Sequence, residues 1–230
     1  MNFKRKSSYV IVFIFIDILL CASLYFIIDA TNINLLKKEI TSLSKLDISV
    51  DKINKDSKTY FKYRIVDNTI KDFLNDYSYK INEVYEFVDD DKLIKILSYD
   101  NYLNDGPEFN DSKHYLVDRK IKFNNIINEL EKILEEDNIK KLIRNKITNE
   151  YYITLYDEMI FSDEFNEQFE NNRIFLKELR DKYNNIYDTS LEVLNFLSLY
   201  KDSWKLENGE IKFINNDLLN YYNSLISKIS

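Results

Sequence analysis

The most continuous run of hydrophobic positions lies near the N-terminus, at residues 9–28 (YVIVFIFIDILLCASLYFII). At ~1.5 Å of rise per residue, a helix of this length spans ~30 Å, the thickness of the hydrocarbon core of a bilayer. Asp17 is the one charged residue within the run, and a carboxylate at the bilayer centre costs roughly 2.5–3.5 kcal/mol. The many Val, Ile, Leu and Phe residues outweigh that cost. The pattern therefore predicts a single transmembrane signal-anchor helix.

Basic residues flank this segment on its N-terminal side. Lys4, Arg5 and Lys6 precede it closely, whereas no basic excess follows before Lys37 and Lys38. The positive-inside rule then predicts localisation to the cell membrane with the N-terminus cytoplasmic and the C-terminal domain outside. The predicted segments are a cytoplasmic N-terminus at 1–8, the anchor at 9–28, a juxtamembrane helix and linker at 29–56, and an extracytoplasmic helical bundle at 57–230.

Two processing events compete with a permanent anchor. Small residues at Cys21-Ala22-Ser23 resemble the cleavage site of a secretory signal peptide. Lipidation at Cys21 is a second alternative, although Leu20 is larger than the residue that a bacterial lipobox has at that position. The apolar run continues past this site to Ile28, which favours an anchor over a cleaved segment.

Asp17 is the strongest functional signal in the anchor, because an intramembrane carboxylate points to function by default. Tyr9, Phe13, Asp17, Cys21 and Tyr25 recur every four residues and therefore share one helix face. Asp17, Cys21 and Tyr25 are the candidate contacts for a partner helix that carries a basic or hydroxyl group. The alternative is a protonated aspartic acid that the membrane merely tolerates.

Beyond the anchor, apolar residues recur at steps of three and four, which predicts helices. One helical pattern runs from about Ser57 to Ser98, and the segment 104–111 (NDGPEFND) reads as a loop. Asp111 or Ser112 is predicted to cap the helix that follows, and residues 135–138 form a weak point in its pattern. The longest pattern, from Ser162 to Tyr200, predicts a coiled-coil seam that is interrupted by two polar residues, Asn172 and Ser190.

Residues 203–214 follow a different period. Asn208-Gly209 between two short alternating runs predicts a β-hairpin with a type I′ turn. The hairpin would plug one end of the bundle with its apolar face or, alternatively, use that face as a recognition patch. This candidate patch consists of Trp204, Leu206, Ile211 and Phe213. Asn216 is predicted to cap a last helix, and the fold class is all-α: a transmembrane helix followed by an elongated antiparallel bundle with one hairpin.

Composition agrees with long helices and excludes several classes of protein. Only 2 Gly and 1 Pro occur in 230 residues, so tight turns are few. The formal charge is −7 with no basic block, which argues against nucleic acid as a partner. Cys21 is the only cysteine, so an intramolecular disulfide and a cysteine-based zinc site are both excluded.

The sequence offers little catalytic chemistry. His114 is the only histidine, and its place at the start of a helix indicates a surface residue. With two glycines, a phosphate-binding loop is not possible. Carboxylates such as Asp157 and Glu158 lie on helices, where a solvated face is the ordinary interpretation. We therefore expect no enzyme activity, cofactor or metal.

The function predicted from the sequence is a membrane-anchored, non-catalytic interaction or scaffold protein, with membrane lipid and a protein partner or a second copy of the chain as its contacts. A ligand-sensing ectodomain is the first alternative, because the helical domain resembles in broad architecture the four-helix sensor domains of chemoreceptors. That family has a second membrane helix and an output domain, so a sensor of this kind would signal through a separate partner. A membrane-anchored hydrolase that uses helical carboxylates is the second alternative.

Overall fold

A computed structural model describes residues 3–46, 53–54 and 56–229, with the side chains of α1 described from Ile16 onward. The predicted linker segment 47–56 therefore lies largely outside the described residues, as do the side chains of Tyr9 and Phe13. The described elements are α1 (Phe3–Leu43), α2 (Phe61–Val88), α3 (Asp91–Lys95), α4 (Tyr99–Asp105), α5 (Asn110–Ile133), α6 (Glu136–Arg144), α7 (Glu150–Ile160), α8 (Asp163–Leu199), a 3₁₀ turn (Lys201–Ser203), β1 (Trp204–Glu207), β2 (Glu210–Phe213) and α9 (Asn216–Ile226). The all-α fold with one small hairpin is confirmed.

The N-terminal helix α1 changes character along its length. The stretch Ile16–Leu43 is long and apolar enough to cross a membrane, judged by length and composition. Every side chain at residues 16–28 is exposed. From Asn32 onward one side of the helix is buried through Leu36, Ile40 and Leu43. The apolar helix near the N-terminus is thus confirmed, and its C-terminal part belongs to a folded core.

The described residues form two compact units. The first unit draws on the chain up to Asp76 and on Ile139–Glu167, and the second on Tyr77–Asn138 and the chain from Gln168 onward. The boundaries fall inside α2, α6 and α8. The sequence predicts one bundle over residues 57–230 and does not predict this division.

In the first unit, α1 and the start of α2 run in the same direction. The Tyr60 N–H donates to Asn32 Oδ1 (2.9 Å), and further along both helices Lys71 Nζ contacts Glu39 Oε1 (2.6 Å). Ile53, which lies between the two helices in the sequence, is buried. The sequence predicts an antiparallel bundle from residue 57 onward and makes no prediction about how α1 packs against α2. The core of this unit comprises Leu36, Ile40, Leu43, Val66, Ile70, Phe73, Leu74, Ile139, Ile143, Tyr156, Ile160 and Phe165.

In the second unit, the helices pack in the predicted antiparallel manner. Along α5 and α8, Lys120 pairs with Asp188 (2.6 Å) and, at the other end, Glu131 pairs with Arg180 (2.8 Å). Helix α9 returns along α8, since the Tyr221 hydroxyl donates to Glu192 (3.1 Å). Buried residues of this unit include Tyr77, Ile81, Val84, Leu116, Phe123, Ile127, Leu130, Phe169, Leu176, Tyr187, Val193, Leu194, Leu197 and Leu225.

The hairpin forms where Asn208-Gly209 predicts it. Trp204 pairs with Phe213 and Leu206 with Ile211, and the two turn residues have φ angles of 54° and 81°. Positive φ at both positions is the requirement of a type I′ turn. Its apolar face lies on helices, as an isolated hairpin needs for stability.

Several helix ends differ from the prediction because short polar side chains end or begin helices without Pro or Gly. The predicted helix 57–98 stops at Val88, and the side chain of Asp90 caps α3. A break at residues 145–149 precedes α7, which Asn149 caps. Asn215, not Asn216, caps α9, since its side chain accepts the Leu218 N–H (2.9 Å). Neither Asp111 nor Ser112 caps α5. Instead, the Asp105 carboxylate accepts both of their N–H groups (3.3 and 2.8 Å).

Candidate functional site

The predicted intramembrane face lies on an uninterrupted stretch of α1. Asp17, Cys21 and Tyr25 are all exposed, and Cys21 is a free thiol. Their spacing of four residues keeps them on one side of the helix. Among the described residues none pairs with Asp17. The structure therefore leaves this face open, and its role in binding a partner stays a prediction.

A hydrogen-bonded cluster begins directly after the apolar stretch. The Asp29 carboxylate accepts a hydrogen bond from the Tyr63 hydroxyl and another from the Tyr151 hydroxyl, the latter at 3.2 Å. The rings of Tyr63 and Tyr152 meet edge to face at 5.1 Å. Burial and the contact with Asp29 raise the pKa of the Tyr63 hydroxyl above its ordinary value. This cluster ties α1 to the starts of α2 and α7 at the point where α1 enters the fold.

A buried ionic cluster joins α1 to α2 further along. Lys71 Nζ donates to Glu39 Oε1 (2.6 Å), to the Asp56 carbonyl (2.7 Å) and to Asp67 Oδ2 (3.1 Å). The side chains of Lys71 and Asp67 are 2% and 0% exposed. Burial raises the pKa of Asp67, and it outweighs the opposing effects of Ser57 and Lys71.

Nothing in the sequence alone singles out this cluster. The i, i+4 spacing of Asp67 and Lys71 is the only local signal, and such pairs usually lie on a solvated helix face. Their burial depends on the parallel packing of α1 against α2, which brings Glu39 to Lys71. These contacts indicate a structural role for the cluster, because Lys71 joins groups from three parts of the chain.

The second unit contains a largely apolar groove of about 460 Å³ between the end of α2, α3, α8 and α9. Leu93, Leu97, Ile186 and Ile226 are among the residues that line it. Ser190 also lines it and is 0% exposed, and its hydroxyl has no hydrogen-bond partner among the described residues. A buried hydroxyl without a partner is costly, and a ligand oxygen or nitrogen atom that reached it would remove that cost.

The predicted hairpin patch is partly buried. The Trp204 indole donates to the Leu197 carbonyl (2.8 Å), and its ring stacks on Phe109 at 6.1 Å. Phe213 packs against Phe196 and Tyr222, at 6.0 and 5.4 Å between ring centroids. Leu206 and Ile211 are also partly exposed. These contacts favour packing against the helices as the main role of the patch, and recognition of a partner stays a prediction.

Among the described residues, the geometry adds no candidate site for a metal ion or for catalysis. Within the part of the chain that the structure describes, no group of three or more His, Cys, Asp or Glu side chains is placed to hold a metal ion. His114 is exposed on α5, as its position in the sequence predicts. Asp157 contacts Arg144 (2.9 Å), so this carboxylate is part of an ion pair. The absence of enzyme activity stays a prediction.

No protein-family model, curated protein or solved structure matches this chain. The functional argument therefore rests on the residues and their geometry.

Proposed function

We propose that this protein is a single-pass, membrane-anchored, non-catalytic interaction protein whose helical domain lies outside the cytoplasm. The observation that carries the proposal is the change along α1 at Ile28. Before it, large apolar side chains are exposed on all sides, and after it the same helix enters a packed core.

The exposed apolar surface of residues 16–28 is unfavourable in water and requires contact with lipid or with another protein. Among the exposed residues, Ile18, Leu24, Phe26 and Ile27 each leave between 58% and 68% of their surface uncovered. Soluble proteins rarely expose so continuous an apolar surface, whereas lipid covers it completely. Helical geometry satisfies the backbone hydrogen bonds throughout the stretch, which is the condition for crossing a bilayer.

A cleaved signal peptide fits the helix less well than an anchor. Cleavage near Ser23 would leave Leu24, Phe26 and Ile27 at a new N-terminus, exposed to water. Lys4, Arg5 and Lys6 precede the apolar stretch, which supports a cytoplasmic N-terminus. The domain that begins at Asp29 then lies on the outer side.

Two measurements test the anchor and its orientation. Alkaline carbonate washing of membranes should leave the intact chain, with residues 9–28 present by mass spectrometry, in the pellet. A Lys205→Cys variant in a Cys21→Ser background should react with a membrane-impermeant maleimide in intact cells. Release of the chain by carbonate, or labelling only after lysis, would contradict the anchor or the orientation respectively.

The intramembrane face supplies the proposed interaction. A lone carboxylate in lipid is costly, and pairing with a basic or hydroxyl group of another helix lowers that cost. Replacing Asp17 with Leu should therefore keep the protein in the membrane and remove a helical partner from detergent pull-downs. Ser23→Leu, which changes an exposed polar residue off this face, is the matched control. Equal partner recovery with Asp17→Leu and Ser23→Leu would rule out Asp17 as the contact.

A ligand-sensing ectodomain is the second candidate, and the groove at Ser190 favours it. Its volume falls in the range of small-molecule sites, and one unpartnered hydroxyl in an apolar lining suits an amphiphile with a single polar group. A medium-chain alkanol that carries a photoreactive diazirine should label groove peptides from α8 and α9. Ser190→Ala should reduce this labelling roughly fivefold, the effect of one hydrogen bond.

The corresponding diazirine alkane, which lacks the hydroxyl, is the control for this labelling. Without a hydroxyl, the alkane cannot form the hydrogen bond to Ser190. We therefore expect it to label the natural protein as weakly as the alkanol labels the Ser190→Ala variant. If neither Ser190→Ala nor removal of the probe's hydroxyl reduced the labelling, the sensing function would have no support. The same would hold if the labelled peptides lay outside the groove.

A further inference from the structure

We propose that the surface of the first unit around Tyr60, Phe61 and Tyr151, with Lys58 and Lys62 beside it, rests on the anionic headgroups of the bilayer that α1 crosses. This inference builds on the proposed membrane anchor and adds a second contact between the folded domain and lipid. We call the five residues the basal patch.

The basal patch lies at the height of the headgroups because its contacts with α1 fix its position. The Tyr151 hydroxyl reaches Asp29, one residue past the apolar stretch, and the Tyr60 N–H reaches Asn32 (2.9 Å). Asn32 lies four residues, or ~6 Å of helix, beyond Ile28. The headgroup layer is about 5–8 Å thick on each side of the hydrocarbon core. The Tyr60 backbone thus lies at the outer edge of this layer, and an aromatic side chain is long enough to enter it.

Aromatic exposure is unusually high at this position. Phe61 is 81% exposed, Tyr60 59% and Tyr151 46%. Tyrosine rings favour the membrane interface because their apolar body and polar tip match the two environments there. Next to them, the rings of Tyr151 and Tyr152 meet at 5.0 Å, and the Tyr151 hydroxyl contacts Asp29 directly after the apolar stretch. The lipid that surrounds residues 16–28 can therefore also contact Phe61.

Charge at the basal patch has the sign that anionic lipid attracts. The segment 57–64 (SKTYFKYR) contains three basic residues and no acidic one, in a chain whose formal charge is −7. Lys58 and Lys62 are exposed and form no ion pair with any described residue; Lys62 Nζ lies 5.8 Å from the Tyr152 ring. Asp29 accepts hydrogen bonds from two tyrosine hydroxyls. Two exposed acidic residues, Asp56 and Glu150, are the patch's neighbours along the chain, so the basic residues are in excess by one. Basic residues near an anionic surface favour the bound state by roughly fivefold each.

The test measures membrane depth in the full chain, reconstituted into lipid nanodiscs. In a Cys21→Ser background, a nitroxide label is attached at Phe61→Cys or, as the control, at Thr41→Cys. Thr41 is exposed on the same helix as the anchor, ~20 Å beyond Ile28. Accessibility to oxygen, which concentrates in lipid, is compared with accessibility to a water-soluble nickel complex.

We expect the label at position 61 to favour oxygen and the label at position 41 to favour nickel. Adding the anionic lipid phosphatidylglycerol to phosphatidylcholine should raise the ratio of oxygen to nickel accessibility at position 61 and not at position 41. The double substitution Lys58→Glu and Lys62→Glu should abolish this increase. Both lysines are exposed, so the helical circular dichroism spectrum should not change.

Three outcomes would overturn the inference. Equal readings at positions 61 and 41, in protein that resists carbonate extraction, would refute the basal patch and leave the anchor intact. A label at 61 that is shielded from both reagents would show that protein, not lipid, covers the surface. Carbonate release of the chain would refute the anchor, and the basal patch would fall with it.

Discussion

The ammonium group of Lys71 lies buried between two carboxylates and holds α1 against α2. Replacing Lys71 with Ala would leave Glu39 and Asp67 without their cation. Removing one partner of a buried ion pair typically costs about 3–5 kcal/mol, because a charge is left unpaired in the interior. We expect a loss of that size in the free energy of unfolding, measured by denaturant titration with circular dichroism.

The matched control for Lys71 is Lys146→Ala in the same unit. Lys146 pairs with Asp72 at 3.2 Å, but both side chains are more than 40% exposed. Pairs of this kind contribute about 0–1 kcal/mol. If the two substitutions had equal effects, burial would not be the source of the stabilisation by Lys71.

Two aspartates, the buried Asp67 and the half-buried Asp90, should give opposite pH dependences. Burial raises the pKa of Asp67 above its usual range, so the folded state binds this proton more tightly than the unfolded state. The contribution of Asp67 to stability is therefore full below the unfolded pKa of about 4 and is lost as the pH rises through the folded pKa. We expect the stability of the natural protein, relative to Asp67→Asn, to fall as the pH rises above about 4.

Asp90 should behave in the opposite way. Burial opposes its ionisation, but the Tyr115 hydroxyl, the Lys92 N–H and Arg119 outweigh burial and hold the pKa of Asp90 below its usual range. Its contribution is then present above the unfolded pKa and is lost as the pH falls through the folded pKa. Unfolding of Asp90→Asn over the same pH series should show a deficit of about 1.5–3 kcal/mol near neutral pH that shrinks in acid. If the stability difference from the natural protein changed with pH in the same direction for both variants, these assignments would be wrong.

At the scale of elements, the start of α5 offers a direct comparison between sequence and structure. The pattern predicts a cap at Asp111 or Ser112, whereas Asp105 from the preceding helix accepts both N–H groups. Asp105→Ala should therefore cost about 1 kcal/mol of unfolding free energy, the usual effect of a lost cap. Asp111→Ala, at an exposed position, should change it by less than about 0.5 kcal/mol. If Asp111→Ala lowered the thermal stability more than Asp105→Ala, the cap predicted from the sequence would be correct.

The elements that the sequence predicts well are those whose signals are local. The hairpin follows from Asn208-Gly209 between alternating residues, and α8 follows from an apolar stripe repeated over its 37 residues. The break after Val88 has a weaker signal in the sequence, since Asp90 caps α3 without a Pro or Gly nearby. Asp105 caps a helix that begins five residues later, and spacing alone does not reveal such a contact.

At the scale of the whole molecule, topology sets the limit of prediction. In the sequence the apolar run ends at Ile28, and in the structure the first partly buried side chain of α1 follows at Asp29. The parallel packing of α1 and α2 depends on contacts between residues about thirty positions apart, such as Glu39 with Lys71. Nothing in the sequence around Glu39 or Lys71 indicates that the two residues are in contact. The Lys71 cluster and the basal patch are therefore visible only once the fold is known.

Two truncated chains test where the exposed apolar part of α1 ends and the folded domain begins. A chain that begins at Asp29 lacks the exposed apolar stretch and keeps Leu36, Ile40 and Leu43 in the core. We expect it to be soluble and monodisperse in size-exclusion chromatography without detergent, with cooperative thermal unfolding.

A chain that begins at Asp47 loses these three residues and Glu39. Each large aliphatic side chain removed from a core costs about 2–5 kcal/mol, and the total rivals the full stability of a domain. The shorter chain should therefore lose helical signal beyond the deleted residues and aggregate. If both chains behaved alike, α1 would serve only as a membrane tether and not as part of the first unit.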